Sequence, residues 1–157
     1  MDDLDFFPCC ELQYGGTIGN QPTIARKPII LAVDDDEDNL LLLAYALEPL
    51  DCCLVTASDG LSALQKAKMY RPDLILLDIL MPFMDGTEVV SVLRKDSTTK
   101  MIPVIAVTAL AHAKDRERLL HAGCNDYLIK PYMLEEIDTV VRKYLRLRES
   151  EVKTPVF

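Results

Sequence analysis

The chain has 157 residues, 50% of them hydrophobic, which is enough to bury one sizeable core but leaves little room for a second domain. Its 25 acidic and 17 basic residues give a net charge of -8, which disfavours direct binding to nucleic acid. No apolar run is long enough to span a bilayer, and the acidic N-terminus is unlike a secretory signal, so we expect a cytoplasmic protein without membrane association.

The chain begins with a segment, residues 1–27, that contains glycines and prolines but no sustained hydrophobic period. Such a segment cannot offset its ordering entropy by burial, so we predict a flexible N-terminal arm. A regular pattern of apolar runs begins at residue 28. We therefore predict one domain over residues 28–146, followed by a short charged C-terminal tail over residues 147–157.

Five short apolar runs predict β-strands, and the segments between them show the helical period. The predicted strands are Ile29–Val33, Cys53–Ala57, Leu74–Leu77, Val104–Val107 and Tyr127–Ile129. The predicted helices are Asn39–Leu47, Leu61–Tyr70, Thr87–Arg94, Asp115–Ala122 (ended by Gly123) and a fifth with an apolar stripe from Leu134 to Leu145. Repeated βα units need crossover connections, which predicts an α/β fold with a doubly wound, five-stranded parallel sheet. The polar residues Asn125 and Asp126 at the start of the last run indicate that this strand lies at an edge.

Polar side chains follow the predicted strands, where ligands of open parallel sheets bind. Asp34-Asp35-Asp36, Asp78, Thr108 and Lys130 occupy these positions. Two carboxylates about 4 Å apart repel by roughly 4 kcal/mol at an effective dielectric constant of 20, so the acidic cluster needs a cation. Carboxylate and carbonyl oxygens suit Mg²⁺ or Mn²⁺ better than zinc.

Four strings in this order resemble the receiver domain of two-component response regulators, in particular the single-domain receivers of chemotaxis. They are ILAVDD at 30–35, DILMPFMDG at 78–86, VTA at 107–109 and DYLIKP at 126–131. The resemblance covers about three quarters of the chain. It implies a flavodoxin-like fold with strand order 2-1-3-4-5 and a cis peptide bond between Lys130 and Pro131.

The resemblance also implies a role for each metal-site residue. Asp78 would accept the phosphoryl group, Asp35 would bind Mg²⁺ directly, and Asp34 would help to hold the metal and its water. Asp78 and the backbone carbonyl of Leu80 would complete the protein ligands.

Three further residues would respond to the phosphoryl group. Thr108 would donate a hydrogen bond to it and Lys130 would pair with it as a point charge. Tyr127 would move inward as Thr108 shifts, which would change the surface of the fourth helix, fifth strand and fifth helix.

These roles describe a phosphorelay switch that assists its own phosphorylation and dephosphorylation, not an enzyme with a diffusible substrate. The expected partners are a histidine kinase or phosphotransfer protein and a downstream effector protein. Dimerisation through the fourth helix, fifth strand and fifth helix is a further expectation. The leucines two positions after Asp78 and Thr108 predict poor positioning of the hydrolytic water and a long-lived phosphorylated state.

Two other function classes compete with this interpretation. A constitutive interaction module could keep the fold without using the phosphate, but the complete set of Asp34, Asp35, Asp78, Thr108 and Lys130 argues against it. A haloacid-dehalogenase-like phosphatase would need a second aspartate shortly after the first, and the segment Asp78-Ile79-Leu80 lacks it, so this class is a distant alternative. No phosphate-binding loop of the GxxxxGK[ST] type occurs, which argues against nucleotide hydrolysis.

The remaining polar and cysteine residues have structural interpretations. Residues 36–39 are expected to cap and charge the first helix, and Asp85-Gly86 to shape the loop after Asp78. His112 and His121 are expected at the surface. The five cysteines fit neither a disulfide framework nor a zinc site, so we expect small buried apolar residues in a reducing compartment.

Overall fold

The computed structural model of the protein describes residues 27–110 and 112–152, with side chains described up to residue 146. Strands and helices alternate along the chain in ten elements. These are β1 (Ile29–Val33), α1 (Glu37–Leu47), β2 (Cys53–Ala57), α2 (Gly60–Tyr70), β3 (Leu74–Asp78), α3 (Gly86–Lys95), β4 (Val104–Thr108), α4 (Ala113–Ala122), β5 (Asp126–Ile129) and α5 (Leu134–Val152). All neighbouring strands are parallel and lie in the order β2-β1-β3-β4-β5. The predicted fold and strand order are confirmed.

Both faces of the sheet are covered, and alternate residues of one strand enter different apolar clusters. Leu31 and Val33 of β1 pack with α2, α3 and α4 on one face, whereas Ile30 and Ala32 pack with α1 and α5 on the other. Burial on both faces explains why the strand sequences are continuously apolar. Polar side chains of the sheet can therefore reach solvent or a ligand most easily at the strand ends.

Several predicted boundaries differ from the structure by a few residues. β3 includes Asp78 and β4 includes Thr108, because the backbones of these polar residues still pair with the neighbouring strand. Helix α5 continues to Val152, six residues into the segment predicted as a tail. Residues 1–26 and 153–157 lie outside the described residues, so the flexible arm and the domain limits stay predictions.

Helix ends follow the predicted local chemistry. Asp36 caps α1 by accepting a hydrogen bond from the backbone N–H of Asp38 at 2.9 Å. Gly123 ends α4 with φ of 116°, a conformation that glycine adopts without strain. His112 and His121 are exposed, as expected.

The cysteine prediction is only partly right. Cys52, Cys53 and Cys124 are all buried. Cys53 is disulfide-bonded, however, so the expectation of a purely apolar role is wrong at this position. Among the described helices, none has the length and apolar character needed to cross a membrane.

Candidate functional site

Three carboxylates meet at the carboxyl ends of the central strands β1 and β3. The strands pair Val33 with Leu77, so Asp34 and Asp78, the next residue in each case, emerge side by side. Asp34 is 2% exposed and Asp78 5% exposed, while Asp35 is on the surface. Each contributes one carboxylate oxygen to a group of three that lie within 4.8 Å of one another. We call Asp34, Asp35 and Asp78 the acidic site.

Backbone hydrogen bonds orient the two buried carboxylates. Asp34 Oδ1 accepts from the N–H of Asp36 at 2.9 Å, and Asp78 Oδ1 accepts from the N–H of Leu80 at 3.2 Å. The other oxygen of each faces Lys130, whose Nζ lies 3.0 Å from Asp34 Oδ2 and 3.7 Å from Asp78 Oδ2. One ammonium group thus bridges two carboxylates.

The charge of the acidic site is only partly balanced. Burial, with the nearby Asp34 carboxylate as the second cause, raises the pKa of Asp78 from 3.8 to about 6. The ammonium group of Lys130 and the hydrogen bond from Leu80 act in the opposite direction without cancelling the rise. Asp78 is therefore a carboxylate whose ionised form needs additional positive charge.

The loop after β3 is held close to this strand by a glycine. A Cβ atom at Gly86 would lie 2.7 Å from the Cα of Ile79 and 2.8 Å from the carbonyl oxygen of Asp78. The N–H of Gly86 donates to the carbonyl of Ile79 at 2.9 Å, and Asp85 caps α3 by accepting from the N–H of Glu88. This local chemistry agrees with the prediction that Asp85-Gly86 shapes the loop behind Asp78.

Thr108 ends β4 and lies at the same edge of the sheet. β3 and β4 pair Asp78 with Val107, so Thr108 comes one residue beyond the partner of Asp78. Its side chain is fully buried, and Oγ1 accepts from the N–H of Leu110 at 3.1 Å. Its carbonyl accepts from the N–H of Lys130, which fixes β5 and the lysine beside β4. The Lys130–Pro131 peptide bond is cis, as the resemblance implies.

Tyr127 lies further from the acidic site, in β5 opposite Ala106. It is half-buried against the apolar cluster under α2, α3 and α4. The guanidinium of Arg116 in α4 lies 5.1 Å from its ring centroid, a cation–π distance. Tyr127 therefore joins β5 to α4, and its switching role stays a prediction.

The oxygen atoms of the acidic site suit a hard divalent cation. Ligand oxygens about 2.1 Å from an octahedral Mg²⁺ are separated by about 3 to 4 Å. The three oxygens, one from each carboxylate, that lie within 4.8 Å of one another are close to this spacing. Three carboxylates face one ammonium group, so the surplus negative charge also favours Mg²⁺ or Mn²⁺. The ligand role of the Leu80 carbonyl stays a prediction.

Sequence reasoning placed these residues at one edge but missed two features of the site. It paired Lys130 with a phosphoryl group, whereas the structure also places its Nζ beside Asp34 and Asp78. It gave no role to Phe83, which is fully exposed and has a positive φ of 69°. The turn residues on either side of Phe83, Pro82 and Asp85-Gly86, were the sequence signal that could have indicated its unusual backbone conformation.

Comparisons with known proteins give the same interpretation of the fold. The family model "Response regulator receiver domain" matches residues 30–142. The chain is 40% identical over 126 residues to the alkaline phosphatase synthesis transcriptional regulatory protein PhoP of Bacillus subtilis, covering 80% of this chain and 51% of that protein. It is 38% identical over 116 residues to the polar-differentiation response regulator DivK of Brucella anthropi, covering 74% of this chain and 94% of DivK. The chain thus spans about half the length of relatives such as PhoP.

Solved structures match about three quarters of the chain. The receiver domain of the sensor histidine kinase PA1611 from Pseudomonas aeruginosa, which has a magnesium ion coordinated in its active-site cleft, gives a TM-score of 0.70 at 33% identity. This match covers 75% of this chain and 97% of that one. Chemotaxis protein CheY4 of Vibrio cholerae gives a TM-score of 0.71 at 29% identity, covering 75% of this chain and 98% of CheY4.

Proposed function

This chain belongs to the response regulator receiver domains, and from that premise we propose that Asp78 accepts a phosphoryl group from a histidine kinase or phosphotransfer protein. The observation that carries the proposal is the position of Asp78. Its carboxylate is nearly buried, shares Lys130 with Asp34, and has a pKa raised to about 6. Such a carboxylate gains from a bound cation, which would also balance the charge of the acyl phosphate formed on it.

The residues of the site would divide the work of phosphoryl transfer. Asp34, Asp35 and Asp78 would hold Mg²⁺, with the Leu80 carbonyl as a further ligand, and the bound ion would supply positive charge to the phosphoryl oxygens. Asp78 attacks phosphorus in line; its O–P bond forms as the P–N bond of the phosphohistidine breaks, and the imidazole keeps the electron pair. Lys130 balances charge from the other side.

Switching would begin at Thr108. Its hydroxyl accepts from the N–H of Leu110 and can donate its own proton to a phosphoryl oxygen. Movement of Thr108 toward Asp78 would vacate space, and Tyr127 would turn into it, leaving its contact with Arg116. The surface of α4, β5 and α5 would then differ between the two states and would bind an effector protein or a second copy of the chain.

The chain would act as a switch in the cytoplasm and not on a diffusible substrate. Because the acidic site and Lys130 supply the electrostatics of transfer, they would also assist phosphorylation by small donors and the later hydrolysis. This property provides a test that does not require the cognate kinase.

We expect acetyl phosphate with Mg²⁺ to produce an acid-stable, base-labile phosphoryl adduct on Asp78, detectable by intact mass and peptide mapping. Asp78→Asn should remove the adduct, and EDTA should prevent its formation. Asp51→Asn is the matched control, since Asp51 is an exposed aspartate with a salt bridge to Lys27 far from the site. Absence of an adduct on the wild-type chain, or an equal adduct on Asp78→Asn, would contradict the proposed function.

A further inference from the structure

Phe83 has an unfavourable conformation in an unfavourable environment. Its φ is 69°, in the left-handed region that bulky residues avoid, and its side chain is the most exposed large hydrophobic group of the residues that the structure describes. Neither feature stabilises the folded chain. Glycine or asparagine would take the same backbone conformation at lower cost.

The positive φ is imposed by the loop that follows β3. The N–H of Met84 donates to the carbonyl of Pro82 at 2.9 Å, which closes a tight turn around Phe83. The N–H of Gly86 then returns the chain to Ile79 at 2.9 Å. Relaxing Phe83 would open the loop that ends beside Asp78. The fold therefore requires the backbone conformation but not the phenyl ring.

The loop stands at the rim of the acidic site. Asp78 is only 5% exposed, so a phosphohistidine has to enter an opening whose walls contact the donor protein. On one wall, the loop from Asp78 to Gly86 carries two exposed large hydrophobic side chains, Phe83 and the 54% exposed Leu80. Aromatic residues that become buried at the centre of an interface commonly dominate its binding energy.

We propose that Phe83 is the apolar anchor on which a protein phosphodonor docks, and that it strengthens the binding of protein donors alone. The partner is a domain that presents a phosphohistidine beside an apolar patch. A small donor such as acetyl phosphate reaches Asp78 without covering Phe83 and gains nothing from it. The inference rests on the proposed role of Asp78.

The backbone strain gives a variant that should not damage the fold. Phe83→Asn removes the ring and suits the left-handed conformation, so its thermal midpoint should equal or exceed that of the wild type. Met101→Asn is the matched control, because Met101 is 84% exposed in the loop before β4, at the opposite end of the sheet.

The experiment measures phosphotransfer from a panel of purified, autophosphorylated histidine kinases and, in parallel, from acetyl phosphate with Mg²⁺. For kinases that phosphorylate the wild type, Phe83→Asn should raise the half-saturating concentration about tenfold or more while the maximal transfer rate stays within about twofold. Its rate with acetyl phosphate should not change, and Met101→Asn should match the wild type with both donors.

The outcomes separate this inference from the proposed function. Unchanged kinase transfer by Phe83→Asn overturns the inference, as does an equal slowing with acetyl phosphate, which would assign Phe83 to the chemistry of the site. If acetyl phosphate labels the wild-type chain but no kinase of the panel does, the docking of a protein donor on Phe83 is also overturned. Asp78 would still be the phosphoacceptor. Failure of acetyl phosphate to label Asp78 contradicts the proposed function itself.

Discussion

Charged side chains are at least partly buried at both ends of the sheet, Arg94 at one end and two carboxylates of the acidic site at the other. Their surroundings differ sharply. Arg94, near the end of α3, makes five hydrogen bonds, as many as a guanidinium has N–H donors. The acceptors are the carbonyl of Lys100 at 2.8 Å, that of Ile102 at 2.7 Å, that of Gly123 at 3.0 and 2.9 Å, and Asn125 Oδ1 at 2.9 Å. Asn125 Oδ1 also accepts from the N–H of Val104, so Arg94 and Asn125 tie the α3–β4 and α4–β5 loops to the start of β4.

The acidic site is the opposite case. Burial lowers the pKa of Arg94, but its donors are all matched by acceptors. Asp34 and Asp78 share a single ammonium group, and burial together with Asp34 raises the pKa of Asp78 to about 6. Burial of a charge therefore does not mark a functional site by itself. Incomplete compensation of that charge does, because it leaves binding energy for a ligand.

The largest expected effect is at Arg94. Arg94→Met should lower the free energy of unfolding by about 3 kcal/mol, because it keeps most of the apolar stem and leaves several carbonyl groups without donors. Urea denaturation measures this loss. Arg142→Met is the control: among the residues that the structure describes, Arg142 pairs with Asp138 alone, on the surface of α5, and its removal should cost less than about 1 kcal/mol. An equal loss for both variants would show that the hydrogen bonds of Arg94 do not stabilise the fold more than a surface ion pair does.

A smaller effect of opposite sign is expected at the acidic site. Asp78→Asn should stabilise the metal-free chain by about 2 kcal/mol at pH 7.5, because it removes the cost of burying a charged carboxylate and, second, its repulsion with Asp34. Urea denaturation in EDTA measures the gain. Mg²⁺ should then stabilise the wild type more than the variant, since ligands that bind only the folded state raise its stability. A destabilised Asp78→Asn variant would contradict this view of the site.

The gain in stability of Asp78→Asn over the wild type should depend on pH. The pKa of Asp78 is raised from 3.8 to about 6 in the folded chain, so its ionisation costs nothing below the lower value and its full cost appears above the higher one. The difference in stability between Asp78→Asn and the wild type should therefore shrink as pH falls from 7.5 to 4. A difference that stays constant over this range would show that the carboxylate charge is not its cause.

The smallest effect concerns the lifetime of the phosphorylated state. Leu80 is 54% exposed beside Asp78 and cannot orient a hydrolytic water, and Leu110 follows Thr108 in the same way. Leu80→Gln should speed dephosphorylation about three- to tenfold, a change of roughly 1 kcal/mol in the barrier. Decay of the labelled protein measures the rate, with the 50% exposed Leu120 changed to glutamine as control. Wild-type decay as fast as that of rapid chemotactic receivers would contradict a long-lived state.

Much of the fold could be predicted because its signals are local. Continuous apolar runs placed all five strands, and the helical period placed the helices within a few residues. The errors occur where polar residues continue an element: Asp78 and Thr108 belong to β3 and β4, and α5 runs to Val152. A polar residue after an apolar run looks like a loop residue by its side chain. Its backbone can still make the hydrogen bonds of the strand or helix, and side-chain composition does not show this.

The sequence by itself determined the βα repeat and the order of polar residues at the strand ends, since both follow from periodicity. The tertiary structure alone decided which charges are compensated. Lys130 and Asp34 are 96 positions apart, and sheet register brings them within 3.0 Å. Three of the acceptor groups around Arg94 are backbone carbonyls, which every residue carries and which therefore leave no mark in a sequence. The left-handed Phe83 is likewise a consequence of loop closure and not of its own preference.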